Sequence, residues 1–157
     1  MLARIALAAA ALACLTPVAA VAQTANVPFT GLVTSTCVLT VGTPGVLAAN
    51  AGFTSLASVN SGGVPGTVSV LSTGSSFFVS ADAPSAFTTA PSGGDANVDF
   101  SVRYQGSGAT TIADTAGTTP TRVNAGVTQL TVNLTAEKSS GTFPAGAYLT
   151  EAVVRCE

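Results

Sequence analysis

The sequence predicts an all-β protein folded as a β-sandwich, and three observations carry the prediction. Apolar residues recur at every second position in several segments, which is the period of a half-buried strand. Stretches rich in Gly, Pro, Ser and Asn separate those segments. Beyond residue 22 no segment holds a helical period, and Thr, Ser, Gly, Ala and Val outnumber the strong helix formers Lys, Glu, Gln and Met.

Residues 1–22 are expected to be a secretory signal peptide. Arg4 gives a basic start, an apolar run follows over 5–15, and Pro17 leads to the small-residue end Ala20-Val21-Ala22. The apolar core is too short to cross a bilayer as a helix. The expected mature domain, 23–157, is long enough to bury a core as one unit. It is expected outside the cytoplasm, where disulfides form. An N-terminal anchor helix, or a lipoprotein signal using Cys14, are the alternatives.

In 27–41 the odd positions read Val27, Phe29, Gly31, Val33, Ser35, Cys37, Leu39 and Val41, predicting one strand or two collinear ones. Pro28 marks an edge, because it cannot donate to a ladder. A short strand is expected around 53–56 and a Gly-Gly and Pro-Gly turn over 60–66. Residues 67–72 and 76–81 read as two strands, or as one long strand bulged at Gly74. A Pro/Ser/Gly loop fills 83–96. Residues 98–104 alternate most cleanly, with Val98, Phe100, Val102 and Tyr104 inward. The Thr/Gly-rich stretch 106–121 has room for a short strand near Ile112. Residues 129–135 put Leu130, Val132 and Leu134 on one face. The last strand, 147–156, puts Tyr148, Ala152, Val154 and Cys156 on one face. Strands parted by turn-rich segments, without helices, point to a sandwich of immunoglobulin-like type.

Composition removes most chemistries. Between Ile5 and Ala81 there is no charged residue, and 23–157 holds four basic residues against seven acids, a net charge of about −3. No basic patch exists to neutralise phosphates, so no nucleic-acid partner is expected. The chain has no His and no Trp, which rules out a Ser–His–Asp triad, a Cys–His pair and imidazole metal ligation. Cys37 and Cys156 are too far apart in sequence for a CxxC redox or zinc motif, and the glycines form no phosphate-binding pattern. Asp95 and Asp99 read as a solvated loop and strand face. Lys138, Ser139 and Ser140 read as a polar turn before Gly141. No catalytic residue, metal or cofactor is expected.

Both cysteines of the expected mature domain fall on apolar faces, Cys37 in the first strand and Cys156 in the last. In an exported protein such a pair is expected to form a disulfide. Closing a loop of that length contributes about 4–5 kcal/mol in the chain-entropy model. Two buried free thiols, or a bond between chains, are the alternatives.

Three segments carry a family resemblance. Residues 23–39 read QTANVPFTGLVTSTCVL, 66–82 read GTVSVLSTGSSFFVSAD, and the chain closes with PAGAYLTEAVVRCE. Their order resembles the spore coat protein U-type subunits of archaic chaperone–usher pili. Those subunits begin with a short alternating strand and a Thr-Cys-Val-like turn. A later V-S-V-x-C strand and a closing A-G-x-Y strand follow. Two features depart from the pattern: Ser72 stands where the family has its second cysteine while Cys156 supplies one at the other end, and the last strand ends in Arg155-Cys156-Glu157 rather than an apolar pair. The resemblance implies a sandwich lacking its final strand, completed by the N-terminal strand of a neighbouring subunit. It implies Val27, Phe29, Gly31 and Val33 as donor residues entering pockets, Gly31 at a tight point. Tyr148, Ala152 and Val154 would line the acceptor groove. The implied partners are copies of the chain or related pilin subunits, a periplasmic chaperone and an outer-membrane usher. The alternative is that 27–33 is simply the first strand of a self-contained sandwich.

The expected function is therefore a non-enzymatic, exported subunit of a bacterial surface fibre, carried from the periplasm to the cell surface. The rival is a monomeric secreted adhesin or carbohydrate-binding module. A carboxylate-pair hydrolase needs no histidine, but the few acids here offer little to build one.

Overall fold

A computed structural model describes residues 22–157. The signal-peptide expectation falls, but for Ala22, outside the described residues. These are all-β, with ten strands and no helix: β1 (Cys37–Val41), β2 (Ala48–Ala49), β3 (Ser55–Ala57), β4 (Gly66–Ser72), β5 (Phe78–Asp82), β6 (Val98–Gly108), β7 (Ile112–Ala116), β8 (Thr121–Arg122), β9 (Gly126–Lys138) and β10 (Val153–Cys156). Every pairing is antiparallel. Seven strands form one sheet, and β10, β5 and β8 form another in that order. The chain divides into two units, 1–32 and 33–157; the sheets belong to the second.

The long strand β9 organises the larger sheet. One edge pairs with β6 along Thr128 to Lys138. The other edge is shared: β4 pairs with Gly126 to Val132, and β3 with Thr135 to Glu137. Between the two partners Ser58 fills the gap. Its N–H donates to Leu134 O at 3.0 Å, and its hydroxyl accepts from Leu134 N at 3.2 Å while donating to Asn133 Oδ1 at 2.9 Å. A side chain thus completes a ladder that the backbone leaves open, as buried polar groups require. β7 extends the sheet beyond β6, β1 beyond β4, and β2 beyond β3.

The two sheets share one core. Val68 and Val70 of β4, Val102 and Tyr104 of β6, and Leu130 and Val132 of β9 pack with Val79 and Ala81 of β5. The alternation of β6 and β9 selects those side chains, and their outward neighbours Ser101, Arg103, Gln105 and Gln129 are exposed. Gly117 ties the sheets together: it accepts from Ala81 N at 2.9 Å and donates to Val102 O at 2.7 Å. A Cβ there would collide with the Ala81 carbonyl, so only glycine allows the approach. A second, smaller cluster gathers Leu56, Phe87, Ala136 and Phe143.

The strands expected at 53–56, 67–72, 98–104, near Ile112 and at 129–135 are all present, most of them longer than expected. Residues 67–72 and 76–81 prove to be two strands in different sheets, not one bulged strand. Two expectations need correction. Only Cys37–Val41 of 27–41 is a strand; residues 22–36 have no regular structure, because an alternating pattern makes a strand only where another strand pairs with it. The last strand is likewise confined to Val153–Cys156. Upstream of it, Leu149 makes an isolated bridge with Thr89.

Candidate functional site

The two sheets end on open edges. Among the described residues β1 pairs only with β4, and β10 only with β5. Among the described residues no strand lies between them. At one end Cys37 and Cys156 are joined by a disulfide, with Cα atoms 6.3 Å apart. This is the expected pairing within one chain. β1 runs away from the bridge and β10 runs towards it, so the two edges bound a slot closed by the disulfide.

That slot opens into a groove of about 1180 Å³. Leu39 and Val41 of β1 form one wall, Ala152 and Val154 the other. Leu56, Val68, Val132 and Leu134 form the floor, and Pro44, Phe143 and Tyr148 surround the far end. The volume exceeds the roughly 300–1,000 Å³ of most small-molecule pockets. Among the described residues Glu151 is its only charged lining residue. The groove lies between the two apolar clusters. Leu39, Leu134, Ala152 and Val154 sit half-buried against the larger, Leu47 and Tyr148 against the smaller. The core is thus interrupted where an inserted strand would bridge it.

The far end of the groove is held firmly. Phe87 meets Phe100, Tyr148 and Phe143 edge-on, with ring centroids 4.9, 5.0 and 6.1 Å apart. Such pairs add about 0.5–1.5 kcal/mol each beyond the area they bury. The Tyr148 hydroxyl donates to Pro144 O at 2.7 Å, and desolvation raises its pKa above the ordinary phenol value. Lys138 is buried. Its Nζ donates to the carbonyls of Gly93 (2.9 Å) and Ala96 (2.5 Å) and lies 5.0 Å from the Phe143 ring centroid. The lysine expected in a polar turn is instead the last residue of β9 and braces the 83–96 loop. Phe53 sits at the rim, more than half exposed, in a left-handed conformation with φ 54°. Asn50 holds that turn by accepting from Thr54 N and Ser55 N.

All three residues expected to line an acceptor groove, Tyr148, Ala152 and Val154, line this one. The candidate donor residues lie in the stretch without regular structure. Val27, Phe29 and Val33 are 69%, 93% and 81% exposed, and a Cβ on Gly31 would meet nothing within 4 Å. Leu32, of the opposite parity, is also exposed. Sequence reasoning missed the wall and floor residues Leu39, Val41, Leu56, Val68, Val132 and Leu134. Their alternation marks them as inward-facing, but not as facing an unfilled space. Among the described residues no group of three potential metal ligands comes together. Asp95 instead caps its loop by accepting from Phe87 N at 2.9 Å.

No family model, no curated protein and no solved structure matches this chain.

Proposed function

We propose that this chain is a non-enzymatic, exported subunit of a bacterial surface fibre, built as an incomplete immunoglobulin-like sandwich and assembled by donor-strand exchange. The carrying observation is the apolar groove between two unpaired strand edges. Its walls offer free backbone N–H and C=O groups, and its floor offers apolar pockets. Such a surface is matched by an extended, alternately apolar strand. The same chain carries a segment of that description, 23–33, uncharged and exposed. The occupant is that segment from a second copy, with Val27, Phe29, Gly31 and Val33 facing the floor.

One detail supports the family resemblance. Ser72, at the position of the family's second cysteine, is the cross-strand partner of Cys37 in the β1–β4 ladder. The site of the family's bond is kept in register while the bond itself goes to Cys156. In this reading 1–22 directs export, and a periplasmic chaperone covers the groove until an outer-membrane usher passes the subunit to the surface.

The test is association of the purified mature chain with and without an excess of a synthetic 23–33 peptide. The reading predicts concentration-dependent association that the peptide caps, with a gain in thermal stability on peptide binding. A wild-type chain that stays monomeric, is fully stable and ignores the peptide would leave the stand-alone binding module instead.

A further inference from the structure

The disulfide closes the groove at the same end at which the candidate donor segment joins the body. We propose that this closure bars the chain's own segment, so that the groove accepts only the segment of another copy, inserted from the opposite end near Pro44 and Tyr148. The inference rests on the groove being a strand acceptor.

Two observations carry it. The first is width. A strand seated between two others needs about 9.6 Å between the outer pair, two inter-strand spacings. At the bridge the Cα atoms of Cys37 and Cys156 are 6.3 Å apart, so no strand passes between them. The second is the tether. Thr73 N donates to Thr36 O at 2.9 Å, Thr36 N to Thr73 Oγ1 at 2.7 Å, and Thr73 Oγ1 to Thr34 O at 2.7 Å. These bonds hold 34–36 in line with β1, outside the bridge. Val33 is the next residue. Three residues lie between it and Cys37, four Cα–Cα steps with a reach of at most about 14 Å. The open end of the groove, near Pro44, lies roughly 20 Å along the wall. Val33 therefore cannot come round to the open end, and the direct way is shut by the disulfide.

A second copy has no such tether. Its segment enters with residue 27 leading towards the bridge and Val33 left at the open end. It then runs parallel to β1 and antiparallel to β10.

The test compares the oxidised mature chain with a variant carrying a Gly/Ser linker of about fifteen residues between Val33 and Thr34, spanning about 20 Å on average. The linker leaves the folded body and the disulfide untouched. Light scattering reads copy number, amide exchange reads protection of 27–33, and a labelled 23–33 peptide reads access to the groove. Wild type should associate between copies and take up the peptide. The linker variant should become monomeric with 27–33 protected. Its tethered segment acts at millimolar effective concentration, so uptake of micromolar peptide should fall about a hundredfold or more. A linker variant that still associates, leaves 27–33 unprotected and takes up peptide like wild type overturns the exclusion and leaves the acceptor reading standing. A wild type that neither associates nor binds peptide overturns both.

Discussion

Tyr104 shows how much one polar atom contributes to this core. The side chain is almost fully buried, and its hydroxyl lies 2.7 Å from both Thr119 O and Thr121 Oγ1. It donates to the first and accepts from the second, joining β6 to the β7–β8 turn and to β8. Tyr104→Phe leaves those partners unsatisfied and should cost about 1–3 kcal/mol in urea unfolding. The inward position of Tyr104 follows from alternation alone. Its partners do not, because they lie in a turn whose path the sequence leaves open. Lys138 is the same lesson reversed: a lysine beside two serines reads as part of a polar turn, yet carbonyls more than forty positions away capture it. Cys156→Ser should cost about 2–5 kcal/mol, the usual loss for a native disulfide in a small secreted domain, measured by non-reducing denaturation.

Among the strands, the most legible in the sequence include three with partners on both sides. β6, β9 and β4 each show a clear period of two and each appear where expected. The stretch 27–36 has the same pattern and no strand, since periodicity records which face is apolar and not whether a neighbour is present. That contrast yields a sharp prediction for Phe29→Asp. Phe29 is 93% exposed, so the substitution should shift the monomer's own stability by no more than about 0.5 kcal/mol. It should nevertheless abolish association, because a carboxylate would have to enter an apolar pocket. The companion change Leu134→Asp, in the floor, should abolish uptake of the 23–33 peptide while the chain keeps its ability to donate. Mixing the two variants should restore a complex of one donor and one acceptor, read by light scattering.

For the molecule as a whole, sequence supplied the all-β class, the pairing of the cysteines and three residues of the groove. Strand order was beyond it: nothing local tells β9 to pair with three strands, or β4 and β5 to part into different sheets. The groove follows from that order, as the space left where two sheets end without a shared neighbour. Its chemistry gives one more expectation. The 23–33 segment has no charge, and among the described residues the lining carries only Glu151. Peptide uptake should therefore change little between low and high sodium chloride, where screening weakens charge attraction. Sulfate, which strengthens apolar burial, should tighten it.

The bond between Cys37 and Cys156 also decides how such a fibre would carry tension. Force arriving through a donated segment enters its own body at Cys37. It crosses the covalent bridge to Cys156 and leaves through β1 and β10, which grip the next segment. The 119-residue separation between the two cysteines lies off that load path. A pulled fibre should therefore give by slippage of strands in their grooves, with no domain unravelling while the bridge is intact. After reduction each subunit has up to about 40 nm of hidden length to release, a difference that single-molecule stretching reads directly.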